Sequence, residues 1–287
     1  MKNILSYLRR GISYIRHGIP QYTIVNQIAV VGESKQLQNR IALITGGGSG
    51  IGKAIALSFL KSGATVVITG RNTEKLKSVY DEWSELYADR IFYAKLDVAN
   101  CDSLEDSFAS INLMLKGRTI DLLVNNAGIE GGHISHCNEN DFESILNTNL
   151  KGVFFLSKLV AEKMIAEKIK GNILNIASSS SLRPAVSAYM ISKWGVRGLT
   201  LGLAKMYIKY GIVVNGIAPG PTATPMMLKD GEHNRLLTNN PSGRYAEPEE
   251  ISNAAVFLTS DMGRMVVGDI LYMTGGAGVI TFDDVQY

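Results

Sequence analysis

The chain has 287 residues, of which 46% are hydrophobic, and its formal net charge is +3. This length and composition suffice for the core of one large domain, the small charge gives no reason to expect a nucleic-acid partner, and no run of about eighteen apolar residues predicts a transmembrane helix. Because the two cysteines, Cys101 and Cys137, show no metal-ligand spacing, we expect a cytoplasmic protein with reduced thiols and no metal site.

Residues 1–36 form a basic extension that differs from the rest of the chain. Ile4, Leu8, Ile12 and Ile15 recur at the spacing of one helix face, and residues 1–32 contain no acidic side chain. Three interpretations stay open: an arm that packs on its own or a neighbouring subunit, a helix that contacts a membrane surface or another anionic partner, or a cleaved targeting peptide.

After the extension, apolar β-branched runs alternate with segments of helix length. Buried strands that alternate with helices predict an α/β fold, a doubly wound parallel sheet in three layers, within one catalytic domain over residues 37–287. The predicted strands cover residues 41–45, 65–69, 91–96, 120–124, 172–176, 212–217 and 270–273, and the first two helices cover 53–62 and 73–87.

The segment 221–248 interrupts this alternation after the sixth strand. It is rich in proline and polar residues and contains the apolar patch Met226-Met227-Leu228. A long insertion after a strand, near the expected site, predicts a mobile lid over the substrate. We call residues 221–248 the lid segment.

The turn after the first strand is rich in glycine and reads Thr-Gly-Gly-Gly-Ser-Gly-Ile-Gly over residues 45–52. Glycine lets the chain turn tightly, lets the backbone approach a pyrophosphate and lets the helix pack close to the strand. The N-terminus of that helix offers unpaired N–H groups to phosphates. The turn therefore predicts a dinucleotide site, with contacts from Gly46, Gly48, Ser49, Gly50, Ile51 and Gly52.

The spacing of this turn, TGxxxGxG, resembles the short-chain dehydrogenase/reductase family, and the resemblance extends over residues 38–278. It implies a Rossmann-like fold, a nicotinamide cofactor and a homodimer or homotetramer. The other matching segments, in the order of the family, are Asp97-Val98, the NNAG motif at 125–128, residues 147–152 around Asn149, Asn-Ile-Ala-Ser at 175–178, YxxSK at 189–193 and N-x-x-x-PG at 215–220.

Tyr189 and Lys193 are four residues apart, so on a helix they share one face. A phenol has a pKa near 10, and a neighbouring ammonium group lowers that pKa towards neutrality, which suits an acid–base catalyst. The resemblance implies that Tyr189 donates the proton, that Lys193 tunes Tyr189 and holds the nicotinamide ribose, and that Asn149 positions a water and Lys193 in a proton relay.

The resemblance also implies a catalytic serine that hydrogen-bonds the substrate oxygen. Counting three residues on from Asn175 gives Ser178, whereas counting thirteen back from Tyr189 gives Ile176, so this loop is two residues shorter than usual in the family. We assign Ser178 from the strand register, with Ser179 or Ser180 as alternatives.

Further cofactor contacts are implied by the resemblance alone. Asp97 is expected to hold the adenine amino group, and Thr224 to contact the carboxamide. The remaining expected contacts are Val98, Asn126, Ala127, Gly128, Tyr189, Lys193, Pro219, Gly220 and Thr222.

The end of the second strand favours NADP(H) over NAD(H). Gly70 occupies the position where NAD-dependent folds carry an acidic residue, and Arg71, followed by Asn72, can pair with a 2′-phosphate. Ser49 stands where many NADP-dependent members carry Lys or Arg, so NAD(H) stays an alternative.

We expect an oxidoreductase that interconverts a small-molecule carbonyl and a secondary alcohol by hydride transfer. One alternative is a 3-oxoacyl-[acyl-carrier-protein] reductase. An alternative of another class is a non-catalytic NAD(P)-binding sensor or scaffold. Because the basic extension could reach a membrane, an enzyme that acts there on glycan or lipid intermediates is a third. Every motif follows Arg40, so the extension should be dispensable for cofactor binding.

Overall fold

The computed structural model describes residues 23–26, 28–30, 32–228 and 234–281. In this part of the chain, seven parallel strands form one sheet in the order β3-β2-β1-β4-β5-β6-β7. The strands are β1 (Ile41–Thr45), β2 (Thr65–Gly70), β3 (Ile91–Lys95), β4 (Leu122–Asn125), β5 (Asn172–Ile176), β6 (Val213–Pro219) and β7 (Ile270–Met273). The helices are α1 (Gly50–Lys61), α2 (Thr73–Tyr87), α3 (Leu104–Met114), α4 (Glu139–Leu146), α5 (Gly152–Ala166), α6 (Ala188–Tyr207) and α7 (Pro248–Thr259).

The first strand lies inside the sheet. The chain adds β2 and β3 on one side of it and then β4 to β7 on the other, so the predicted doubly wound fold is confirmed. Strand β1 pairs with β2 on one side and with β4 on the other. Ligands of open parallel sheets bind at the carboxyl ends of the strands, where the order reverses. The glycine-rich turn after β1 and the NNAG segment after β4 therefore lie side by side at that edge.

Helices cover both faces of the sheet, which explains why its strands are continuously apolar. Ala42 and Ile44 pack in one buried cluster, which contains side chains of α1 and α7. Leu43, which points to the opposite face, packs in a second cluster with side chains of α3, α5 and α6. Each fully buried apolar side chain stabilises the fold by about 1.5–3 kcal/mol, so the strands form a rigid support for the loops at their ends.

Helices α4 and α5 are joined end to end by one π-helical turn at Asn147–Lys151. Such wide turns occur frequently at functional sites. The start of α5 lies against the segment that follows β3, because a Cβ on Gly152 would stand 2.5 Å from the carbonyl oxygen of Val98. Asn149 is buried in the π turn.

The lid segment connects β6 to α7, and in its described residues it contains no regular helix or strand. Its two ends pair with each other: the Ala223 amide donates to the Ala246 carbonyl (2.8 Å), and the Ala246 amide donates to the Pro221 carbonyl (2.9 Å). The predicted mobility of this segment stays a prediction.

Several element boundaries differ from the sequence-based expectation. Helix α1 begins at Gly50 rather than Lys53, because the glycines of the turn enter the helix. Strand β6 continues to Pro219, and β4 begins only at Leu122. The amphipathic helix expected from Ile4 to Ile15 lies outside the described residues. No helix in the described ranges is long and apolar enough to cross a membrane.

Candidate active site

The glycine-rich turn has the backbone shape that a phosphate cradle requires. Gly46 and Gly50 have φ values of +66° and +53°, which residues with a side chain rarely adopt. A Cβ on Gly52 would collide with the Gly46 carbonyl oxygen and with the Asn126 side chain. The Ser49 side chain makes no capping hydrogen bond, so the first N–H groups of α1 stay available to an anion. These features fit a dinucleotide pyrophosphate.

Asn126 of the NNAG segment fixes this turn from the neighbouring strand. Its Nδ2 donates to the carbonyl oxygens of Thr45 (2.9 Å) and Gly46 (3.2 Å). Thr45 Oγ1 in turn accepts hydrogen bonds from the amides of Asn126 and Ala127, both at 3.0 Å. The Asn126 side chain thus positions the cradle, and its two amide hydrogens are already used in doing so.

Ser178 lies between β5 and α6, and it is the serine of its run that meets Tyr189. Both side chains line the same cavity, and Ser178 lowers the pKa of the Tyr189 phenol. The Ser178 Oγ accepts from the Ser180 amide at 3.1 Å. Ser181 is fully buried, and its hydroxyl donates to the Ser178 carbonyl at 2.7 Å. The hydroxyl pair stands beside α6, with Ser179 and Ser180 on the same cavity wall.

Lys193 lies one helical turn from Tyr189 on α6. Its Nζ donates to the Ile176 carbonyl at 2.8 Å and stands 5.6 Å from the centre of the Tyr189 ring. The Lys193 side chain is 5% exposed. The ammonium group is therefore held at the end of β5, below the two hydroxyls.

Asn149 uses its carboxamide to hold the loop after β4. Its Oδ1 accepts from the Ile129 amide (2.8 Å), and its Nδ2 donates to the Ile129 carbonyl (2.9 Å) and to Ser192 Oγ (3.1 Å). A Cβ on Gly128 would stand 3.4 Å from Asn149 Oδ1 and 3.8 Å from Lys193 Nζ. The NNAG glycine thus lets the chain pass between these two side chains.

A cavity of about 400 Å³ joins these pieces. Ser178, Tyr189 and Lys193 line it, and so do residues 221, 222 and 224–227 of the lid segment. Of the predicted site residues, those that line the cavity are Gly46, Ser49, Gly50, Ile51, Asn126, Ala127, Gly128, Ser178, Tyr189, Lys193, Pro219, Gly220, Thr222 and Thr224. Those outside its wall are Gly48, Gly52, Arg71, Asn72, Asp97, Val98 and Asn149.

The family model described as short chain dehydrogenase matches residues 40–235 of the chain. The chain belongs to this family. The family resemblance and the oxidoreductase class inferred from the sequence are thereby confirmed. As a short-chain dehydrogenase, the protein acts on CH–OH or carbonyl groups of small molecules with a nicotinamide cofactor.

Three relatives illustrate how far the similarity reaches. The (2S)-[(R)-hydroxy(phenyl)methyl]succinyl-CoA dehydrogenase subunit BbsD of Thauera aromatica is 40% identical over 244 residues, 84% of this chain and 97% of the relative. The 3-oxoacyl-[acyl-carrier-protein] reductase FabG of Aquifex aeolicus is 32% identical over 84% of this chain and 98% of its own. The crystal structure of a gluconate 5-dehydrogenase from Burkholderia cenocepacia in complex with NADP and tartrate has a TM-score of 0.76 at 34% identity, covering 85% of this chain and 97% of that one.

The pKa values in this short-chain dehydrogenase differ from the sequence-based expectation. Burial raises the pKa of the Tyr189 phenol above its usual value of 10, and the hydrogen bond with Ser178 opposes the rise. Burial also lowers the pKa of Lys193 from 10.5 to about 8. Lys193 Nζ donates to the Ile176 carbonyl, and burial is the largest influence on the pKa of Tyr189. Tyr189 therefore stays protonated at neutral pH.

The predicted adenine end lies at the start of α2, away from the cavity. Arg71 is exposed there, and Asn72 Oδ1 accepts from the Lys75 amide at 2.9 Å, so this carboxamide oxygen caps α2. Asp97 Oδ1 accepts from the Ala99 amide at 3.1 Å. Direct contacts of Arg71, Asn72 and Asp97 with a cofactor stay predictions.

Sequence reasoning missed several residues at this site of the dehydrogenase. Lys75 stands beside Arg71 in the first turn of α2, and its Cβ would lie 3.6 Å from a Cβ on Gly48. The sequence signal for Lys75 was its position as a second basic residue, four residues after Arg71. Glu130 and Arg183 line the cavity, but no motif in the sequence marks them.

Proposed function

We propose that this short-chain dehydrogenase is an NADP(H)-dependent oxidoreductase that interconverts a carbonyl and a secondary alcohol, with Tyr189 as the general acid and base. One observation carries the proposal: the Ser178 and Tyr189 side chains line one cavity together with buried Lys193, and Ser178 lies close enough to lower the pKa of the Tyr189 phenol. Two hydroxyls so placed can both reach one substrate oxygen.

In the direction of reduction, the Tyr189 hydroxyl gives its proton to the substrate oxygen as the carbonyl becomes an alcohol. The Ser178 hydroxyl donates a hydrogen bond to the same oxygen and stabilises the negative charge that develops there. A bound nicotinamide supplies the hydride. Burial keeps the Tyr189 phenol protonated before the reaction. With the cofactor bound, the Lys193 ammonium group would hold ribose hydroxyls and help to return the proton to Tyr189.

The preference for NADP(H) rests on the charges at the end of β2. The position of a Cβ on Gly70 has only Leu76 Cδ2 within 4 Å, at 3.9 Å, so no carboxylate stands where it would repel a 2′-phosphate. Arg71 and Lys75 flank this position, and both are exposed. A similar gluconate 5-dehydrogenase binds NADP, which supports the choice.

The decisive experiment replaces Tyr189 by phenylalanine. Tyr189→Phe should lower kcat by about 10²–10⁴-fold, the usual contribution of general acid–base catalysis, while Kd for NADPH, measured by fluorescence titration, stays nearly unchanged. Tyr210→Phe is the matched control, because this tyrosine is exposed at the end of α6. Turnover retained by Tyr189→Phe would overturn the proposed role.

Acyl thioesters are the second candidate substrate class. Two of the relatives, the hydroxy(phenyl)methylsuccinyl-CoA dehydrogenase subunit and the 3-oxoacyl-[acyl-carrier-protein] reductase, are named for thioester substrates. A turnover screen with NADPH and NADH should therefore include acetoacetyl-CoA, a keto-gluconate and a simple ketone. Tight NADPH binding without turnover of any probe favours the non-catalytic sensor.

A further inference from the structure

The residues just before the catalytic domain lie along the outer side of the lid segment. We call residues 23–26 and 28–30 the strap. The Ile24 amide donates to Asn234 Oδ1 at 3.1 Å, and the Ile24 carbonyl accepts from the Arg235 amide at 3.0 Å. Further along, the Ala29 carbonyl accepts from Asn253 Nδ2 of α7 at 2.6 Å. The strap thus contacts the returning half of the lid segment and the helix that follows it.

Asn26 is the centre of these contacts. Its Nδ2 donates to Glu247 Oε1 (2.8 Å) and to the Tyr245 carbonyl (3.3 Å). Glu247 Oε1 also accepts from Arg235 Nε at 2.8 Å, and these two charged side chains are only 21% and 15% exposed. Glu247 is the N-cap of α7. Asn26 therefore holds the point at which the lid segment enters α7.

Ala246, which lies between Tyr245 and Glu247, connects the Asn26 contacts to the active site through backbone hydrogen bonds. Ala246 exchanges hydrogen bonds with Pro221 and Ala223 on its other side. Thr224, which follows Ala223, packs against the glycine-rich turn, since a Cβ on Gly50 would stand 3.3 Å from Thr224 Cγ2. The segment 245–247 thus contacts the strap on one side and the cavity-lining segment 221–224 on the other.

Hydrogen bonds and a limited apolar contact hold the strap in place. The side chains of Val25 and Val30 are 76% and 55% exposed, whereas those of Ile24 and Ile28 are half-buried, so no apolar side chain in the described strap is fully buried. Further along the described chain, the Ser34 amide donates to the Lys61 carbonyl at 2.8 Å, and Leu37 is fully buried. Loss of one or two hydrogen bonds should therefore release the strap without disturbing the core.

We infer that Asn26 is a positioning residue of the active site: through Tyr245 and Glu247 it holds Ala246, which in turn keeps residues 221–224 in place on the wall of the substrate cavity. The inference rests on the proposed function for its kinetic consequence only. The motion of the lid segment is measured independently of any substrate.

The test uses the full chain and two variants, Asn26→Ala and Asn253→Ala. Hydrogen exchange followed by mass spectrometry or NMR should show the Ala223, Arg235 and Ala246 amides exchanging about fivefold faster or more, the scale expected for one lost hydrogen bond, with unchanged exchange in β1 and β4. Asn100→Ala is the matched control, because Asn100 is exposed between β3 and α3.

Kinetics supply the second readout. With acetoacetyl-CoA and NADPH, Asn26→Ala should raise KM several-fold and leave kcat and the Kd for NADPH nearly unchanged. If the unaltered enzyme turns over none of the carbonyl probes, the proposed function fails while amide exchange still decides on the strap. Unchanged exchange at Ala223 and Ala246 in both variants, or equal acceleration in Asn100→Ala, would overturn the inference.

Discussion

Replacing Lys193 by methionine tests how much the fold is destabilised by burying an ammonium group in the active site. The side chain is 5% exposed, and burial lowers its pKa from 10.5 to about 8. One pKa unit corresponds to about 1.4 kcal/mol, so the difference between 10.5 and about 8 amounts to about 3 kcal/mol of unfolding free energy. Methionine has similar length and no charge to bury.

The sign of the effect follows from the two pKa values. Below pH 8, Lys193 is protonated in both folded and unfolded chains, so the full destabilisation is present. Between pH 8 and 10.5 the folded protein releases the proton while the unfolded chain keeps it, and the stability of the unaltered protein rises with pH. The stability difference between Lys193→Met and the unaltered protein should therefore shrink by about 3 kcal/mol across this interval.

Urea denaturation without cofactor, at several pH values from 7 to 10.5, measures this difference. The offset at any one pH also contains the lost hydrogen bond to Ile176, so only its change with pH reports the titration. Lys205→Met, at an exposed position of α6, is the control and should show no such change. A difference that stays constant to within about 1 kcal/mol would refute a lowered pKa for Lys193.

Three further predictions concern the serine, the cofactor and the extension. Ser178→Ala should reduce kcat about 10²–10³-fold, much more than Ser180→Ala, and the reverse order would show that the strand register is wrong. Arg71→Ala should weaken NADPH binding about ten- to a hundredfold without affecting NADH, and Gly70→Asp should reverse the preference; equal affinities in the unaltered protein would contradict both. Removal of residues 1–36 should preserve NADPH binding, and liposome sedimentation with gel filtration will show whether these residues bind anionic membranes or a neighbouring subunit.

The sheet and most of the cavity could be predicted because their signals are local. Uninterrupted apolar runs such as 41–45 indicate strands buried on both faces, and short motifs at the strand ends then meet at one edge of the sheet. The placement of Asn126 could not be predicted, because its role depends on the backbone of the strand beside it. The pKa direction for Tyr189 was wrong for a related reason: spacing places Lys193 on the same helix face but does not reveal how strongly burial raises the pKa of the phenol.

The conformation of the lid segment could not be predicted from the sequence. Its conformation depends on hydrogen bonds between residues distant in the sequence, Ala223 with Ala246 and Asn26 with Glu247. No periodicity in residues 221–248 indicates these pairs. Asn72 illustrates the opposite case. An asparagine before Thr-Glu is a common helix start, and its oxygen indeed caps α2, although its place after Arg71 at the end of the second strand had suggested a cofactor contact.

The π-helical turn at Asn147–Lys151 lets the orientation of Asn149 differ from the orientation that the packing of α5 against the sheet would impose. Leu156, Val160 and Met164 on α5 are completely buried against the sheet, which fixes how α5 can rotate about its axis. A π turn contains about one residue more than an α turn, and each residue of an α-helix rotates the chain by about 100°. The direction of Asn149 is therefore set by the width of this single turn, so insertion or loss of one residue there re-aims the loop at Ile129 while the core packing of α5 is preserved.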